Sequence, residues 1–290
     1  MDGFRVRGSG PFFDERRRLL AWLGLGAGLM PLSSPAQERA PAAGGMAGAQ
    51  GRAVLNFRLT LRIDFAQRNR ILKATGQQPT TYDRALSFVR GDLHAANVQD
   101  VVEWTPTTYR IVSTMQPTTL IGLAVGSRPY VRESSGVRAA AGLSVRRYRE
   151  KRGEGSAYLA VYDPAPRAIA FSRDDKPSQR VAHTGELQDA LSLVHGAWIG
   201  SPWATTRLAS VVDGKGRKDF RLSRVEAWDF PLAGAKVRTF RYQRQLAAKD
   251  DASFEVWLSE REGLPLRYLI GLNQSYGASL QFDLTEWPGR

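Results

Sequence analysis

The chain predicts a mainly β fold: a curved antiparallel sheet, of half-barrel or open barrel-like form, packed on one short central helix. Three observations carry that prediction. Leu55, Phe57, Leu59, Leu61, Ile63 and Phe65 alternate with Asn56, Arg58, Thr60, Arg62 and Asp64, the period-2 pattern of a strand with one face in the core and one in water. The last third of the chain reads as short strands at 237–246, 253–259, 264–272 and 278–287, separated by polar turns, and short connections imply antiparallel pairing. Residues 186–198 alone show helical periodicity: Leu187, Ala190, Leu191, Val194 and Trp198 fall on one stripe.

A helix this short is marginal alone, so its stripe requires burial against the sheet. Thr184 is the expected cap of its first turn and Gly196 its left-handed end, with Gln188, Asp189, Ser192 and His195 facing away from the stripe. That makes the helix an architectural plug rather than an active site.

Taken from its start, the chain opens on Arg16-Arg17-Arg18 followed by a weakly apolar run at 19–30, with Ser34 and Ala36 at the −3 and −1 positions of a cleavage site. Residues 1–36 therefore read as a signal peptide, too short in its apolar part for a membrane span, and the twin arginine resembles a twin-arginine export signal. Cleavage after Ala36 would lower the formal charge from +13 to +11. The expected home is the periplasm, with no nucleic-acid partner. Residues 37–52, rich in Ala, Gly, Pro and Gln, read as a flexible linker, and 53–290 as a single β-rich domain.

Within that domain the polar stretch 67–83 reads as a long connection. Strands are expected at 85–89, 101–104, 109–115, 130–134, 144–151, 157–162 and 168–172, and 173–183 reads as a polar segment. The apolar run 120–125 is far too short to cross a bilayer. Asp213-Gly214-Lys215-Gly216 joins strands at 207–212 and 220–228 as a hairpin turn.

Several short stretches carry a resemblance. Ser134-Ser135-Gly136-Val137, Gly142-Leu143-Ser144, Arg146-Arg147-Tyr148, Tyr162-Asp163, Gln188-Asp189-Ala190-Leu191-Ser192, Trp257-Leu258 and Leu264-Pro265-Leu266-Arg267 resemble, in that order, an exported bacterial family known as domain of unknown function 3108. The resemblance spans roughly 54–287 and implies a β-rich cell-envelope protein, with no catalytic residues to transfer. The connection at 67–83 departs from the family's tight first hairpin.

The chemistry in the sequence is sparse. With no cysteine there is no disulfide, thiolate nucleophile or cysteine-held metal. The three histidines, His94, His183 and His195, lack metal-ligand spacing, and no Gly-x-Ser-x-Gly or Ser-x-x-Lys occurs. No catalytic residue, metal site or cofactor is assigned, and His195 is read as structural. Two binding features are singled out. The first is Arg147, Arg149 and Lys151, three cations on one face of a strand, suited to phosphate groups, the alternative being a solvated or edge-protecting strand. The second is an aromatic set, Trp198, Trp203, Trp228, Phe240 and Trp257, able to line an apolar pocket or simply to fill a core.

The function expected from the sequence is that of a non-enzymatic periplasmic protein binding a lipid or other amphipathic envelope component. The alternatives are a structural or assembly factor acting through protein contacts, and a hydrolase with an unrecognised site.

Overall fold

The computed structural model of the protein describes residues 50–76, 78, 92–119, 127–139, 142–153, 155–246, 252–271 and 277–288. The expected signal peptide, residues 37–49 of the linker, the strand at 85–89, the apolar run 120–125 and the polar turns at 249–251 and 273–276 lie outside the described residues.

Alternation of apolar and polar side chains produces strands, and the strands form one sheet. In chain order they are β1 (Gly51–Ile63), β2 (Leu93–Trp104), β3 (Thr108–Pro117), β4 (Tyr130–Ala139), β5 (Gly142–Arg152), β6 (Ala157–Asp163), β7 (Ala168–Arg173), β8 (Lys176–Ala182) and β9 (Leu187–Asp189). The second half supplies β10 (Thr206–Val212), β11 (Arg217–Leu232), β12 (Ala235–Arg244), β13 (Phe254–Ser259), β14 (Pro265–Gly271) and β15 (Ala278–Leu284). Their spatial order is β8-β7-β6-β5-β4-β3-β2-β1-β15-β14-β13-β12-β11-β10-β9. β1 sits centrally because its two sides pair with β2 and with the last strand, β15. Among the described residues every pairing is antiparallel except the short β9–β10 contact, which is parallel.

Among the described residues, two helices have both ends in view. α1 (Phe65–Thr75) lies in the stretch expected to be a connection; Asp64 caps it by accepting from the Gln67 N–H at 2.8 Å, and Gly76 ends it in the left-handed conformation. α2 (Ala190–Ile199) is the expected central helix, shifted from its predicted bounds. Leu187, Gln188 and Asp189 form β9 instead, and the cap is Asp189, not Thr184. The Asp189 carboxylate accepts from the N–H groups of Leu191 and Ser192 at 2.7 and 2.9 Å, while Ser192 Oγ accepts from the Asp189 N–H at 2.8 Å. This reciprocal capping box satisfies donors that a helix start leaves open. Gly196 lies inside the helix, whose end is at Gly200.

The sheet wraps around α2, which packs against strands of both halves, β3, β4, β5, β9, β10 and β14. Leu191, Val194 and Trp198, each about 2% exposed, fill the concave face with Leu55, Phe57, Ile111, Leu143, Val256, Leu266 and Phe282. Each such side chain contributes roughly 1.5–3 kcal/mol through burial. The β13–β14 turn presses on the helix, for a Cβ at Gly263 (φ +70°) would stand 2.6 Å from the Ala197 carbonyl oxygen. Only glycine combines that close approach with a positive φ.

The curved sheet nearly returns to itself. β9 lies alongside β5, where the Gln188 side-chain amide donates to the Leu143 carbonyl. Nearby, Gln179 of β8 donates to the Lys215 carbonyl of the β10–β11 turn at 2.7 Å. Gly214 in that turn is so close to β6 that a Cβ would overlap Tyr158. Side chains and a turn, rather than a hydrogen-bonded ladder, close this seam.

Three expectations are corrected. β1 begins at Gly51, so the last two residues of the expected linker are strand. The polar segment 173–183 contains β8, whose residues lack alternation because this strand ends the sheet and is solvated. The side of α2 expected to face away from the core is itself enclosed, with Ser192 and His195 at 0% exposure.

Candidate functional site

β-Sheet register assembles a polar row inside the core. Asp100 of β2 pairs with Ser113 of β3, Ser113 with Arg132 of β4, and Arg132 with Glu150 of β5. All four are buried. Arg132 and Glu150 thus face each other on neighbouring strands, at the spacing where cross-strand pairs interact, while Ser113 stands between Arg132 and Asp100. Arg132 donates to Ser113 Oγ at 3.4 Å, and the hydroxyls of Tyr130 and Tyr148 donate to Glu150 at 2.8 and 3.0 Å.

α2 is keyed into this row by its polar side. His195 Nε2 lies 2.9 Å from Asp100 Oδ2, and Ser134 Oγ donates to Asp189 Oδ2 at 2.5 Å, with the Tyr109 hydroxyl 3.2 Å from Ser134. Burial, followed by the charge of Asp189, raises the Tyr109 pKa, and burial raises those of Tyr148 and Tyr268 in the same way. Burial also pushes Asp189 up to about 6 against its hydrogen bonds from Ser134, Ser192 and Leu191. Burial opposes the charge on Arg132, yet the surrounding Tyr268, Tyr130, Tyr148 and Asp100 hold its pKa above the usual value.

A histidine–carboxylate pair is a familiar catalytic fragment, and here it is enclosed in the core. Among the described residues His195 has Asp100 as its single hydrogen-bond partner. Both side chains have 0% exposure, so no substrate reaches them in this conformation. The acids near His195 are enclosed by the core rather than arranged at the mouth of a cavity. No group of three or more possible metal ligands occurs among the described residues.

The same strand that supplies Tyr148 and Glu150 to the core places Arg147, Arg149 and Lys151 on the opposite, exposed face. On either side they pair with Ser135, Glu133 and Val131 of β4 and with Val161, Leu159 and Ala157 of β6. Val131, Glu133, Arg149 and Lys151 line a surface depression of about 260 Å3. A second depression, of about 510 Å3, opens near the ends of β1, β14 and β15 beside Arg62, Asp92 and Ser279. In that second depression Arg62 is engaged by Asp92 at 3.0 Å and by Gln281 at 2.9 Å.

The aromatic set does not converge. Trp198 and Trp203 are core residues: Trp198 packs edge-on against Trp104, and Trp203 against Tyr242, whose hydroxyl donates to the Trp203 carbonyl at 3.1 Å. Phe240 is half-buried beneath the Arg224 guanidinium. Trp257 alternates with the buried Val256 and Leu258 and so points to the other face, between Arg241 and Arg267. Trp228 is 55% exposed. Alternation along β11 and β13 divides these residues between opposite faces, and they line no common pocket.

The polar row was not singled out in the sequence, although it left a trace there. Asp100 lies in phase with the apolar Val98, Val102 and Trp104, and Arg132 with Tyr130, so each charge occupies a position whose neighbours belong to the core.

The fold and this interior define a class: a barrel-like antiparallel β protein plugged by a buried helix. No family model matches the sequence and no curated protein matches it, so the resemblance to domain of unknown function 3108 rests on the short stretches alone. Among solved structures, the chain is similar to the crystal structure of a beta-barrel-like protein of domain of unknown function DUF1849 from Brucella abortus. The TM-score is 0.43 at 10% identity, over 82% of this chain and 97% of that one. Among the described residues, no helix is long and apolar enough to cross a membrane.

Proposed function

We propose that this is a non-enzymatic, exported protein of the periplasm that binds a lipid or other amphipathic envelope component, and that it does so on the outside of the sheet. The observation that carries the reading is the contrast between the faces of β4–β6. The inner face is occupied by α2, the apolar cluster and the polar row, whereas the outer face exposes cations and apolar side chains together. A surface of that composition suits a ligand with a charged head and an apolar body. The export signal at 1–36 supplies the periplasmic part of the reading.

The test is association of the purified mature protein with vesicles made from total bacterial envelope lipid, read by flotation. Binding that weakens with salt supports the reading, while failure to float at low salt removes it. A second reading, an assembly factor acting through protein contacts, is favoured by β8, which ends the sheet and has six of its seven residues exposed. A stoichiometric protein partner cross-linked in the periplasm, with no lipid bound, would favour this second reading.

A further inference from the structure

Resting on the lipid reading above, we infer that Arg147, Arg149 and Lys151 form a site for the phosphate-bearing headgroup of a membrane-anchored anionic lipid, with Val131 and Leu159 beside its apolar part. Four observations place the three cations together without a structural duty.

First, they are unpaired. Glu133, the carboxylate directly across from Arg149, is engaged by Arg110 at 2.8 Å. Arg110 in turn reaches Glu103 at 3.6 Å, and Glu103 meets Arg52 at 3.3 Å. That chain of pairs engages both Glu133 and Glu103. Among the described residues none lies within ion-pair distance of Arg147, Arg149 or Lys151.

Second, they do not protect an edge. β5 is paired on both sides, to β4 and to β6, so the negative-design role that exposed lysine and arginine play on edge strands has no meaning here. Third, register surrounds them with apolar groups: Ala157, Leu159 and Val161 on β6, and on β4 Val131, itself 36% exposed. Fourth, the surface is hollowed between them, in the depression of about 260 Å3 lined by Val131, Glu133, Arg149 and Lys151.

Alternate residues of a strand stand roughly 6.8 Å apart. Two long cationic side chains at that distance can converge on one phosphate, and three in line can meet neighbouring headgroups. Charge-assisted hydrogen bonds from guanidinium to phosphate are the strong form of such a contact. The apolar rim favours a lipid over a free phosphate ion, since an ion gains nothing from Val131 or Leu159.

The experiment is flotation of the mature protein with phosphatidylglycerol vesicles and with net-neutral phosphatidylcholine vesicles. It compares the native chain, the variant R147S/R149S/K151S, and a charge-matched control, R58S/R221S/K236S, altered at exposed positions elsewhere. With each basic group at an anionic surface contributing roughly fivefold, the site variant should bind phosphatidylglycerol about 100-fold more weakly, and the control within a few-fold of the native chain. Equal losses in both variants, or none in the site variant, overturn the site while leaving lipid binding intact. A native chain that floats with neither vesicle fails the broader reading itself. Soluble glycerol phosphate should not compete at millimolar concentration; full competition would reassign the site to a free phosphate. Unchanged circular dichroism and urea midpoint keep the site variant's result from being a loss of fold.

Discussion

Successive residues of β5 live under opposite rules. Glu150 points inward, where it accepts hydrogen bonds from Tyr130 and Tyr148 and lies beside Arg132. Arg149 and Lys151 on either side of it point outward, and among the described residues no acid lies within ion-pair distance of them. A charge in the core is tolerable only when partnered, whereas a charge in water carries no such obligation and is free for a ligand. The inner charges are therefore read as specifying how α2 seats in the sheet, and the outer ones as function.

The sharpest way to break that comparison is to orphan an inner charge. Arg132→Ala removes the buried guanidinium that donates to Ser113 and stands in register with Glu150, and should cost about 3–5 kcal/mol, read as a lower urea midpoint. A loss under 1 kcal/mol would mean that the interior is wetter than the packing indicates. Leu191→Ala, which cuts into the apolar side of the plug, should cost about 2–5 kcal/mol by the same assay. A negligible loss would instead make α2 a movable lid.

Acid titration probes the inner region differently. Asp189 and Asp213 are both raised from 3.8 to about 6, in each case chiefly by burial, so the folded state holds their protons more tightly than the unfolded chain. Their contribution to stability is fully present below pH 4 and is lost as pH rises through 6, on the order of 3 kcal/mol for each. His183, lowered by burial and then by Arg217, acts in the opposite sense, losing stability as pH falls. Asp213→Asn should therefore flatten the decline between pH 4 and 7 relative to the native chain in thermal or urea unfolding. An unchanged slope would contradict the assignment. The smallest effect belongs to the outer face: R147S/R149S/K151S should alter stability by less than about 0.5 kcal/mol.

How far the sequence reveals each region follows from what fixes it. Strands with one buried face, such as β1 and β15, announce themselves by alternation, and the Asp213–Gly216 turn by its residue types. β8 does not, because a solvated edge strand needs no alternation. α1 escapes because its ends, Asp64 and Gly76, are better helix signals than its interior, which carries no continuous apolar stripe. The start of α2 misleads since Leu187 fits a helical stripe and a short strand equally well. The outward cations were legible from alternation alone. The inner row was not, because Asp100, Arg132 and Glu150 are 50 residues apart across their span and become neighbours only through register. The same holds for the dispersal of the aromatic set, which depends on which face each strand turns to the core.

Amide hydrogen exchange, with and without phosphatidylglycerol vesicles, tests the central division most directly. If lipid binds outside and the helix is a fixed plug, amides of α2 stay among the slowest to exchange in both conditions, and added protection falls on 131–135 and 147–161. Faster exchange in α2 on adding lipid, with no change along β5, would mean that the interior opens to receive the ligand and would contradict this account.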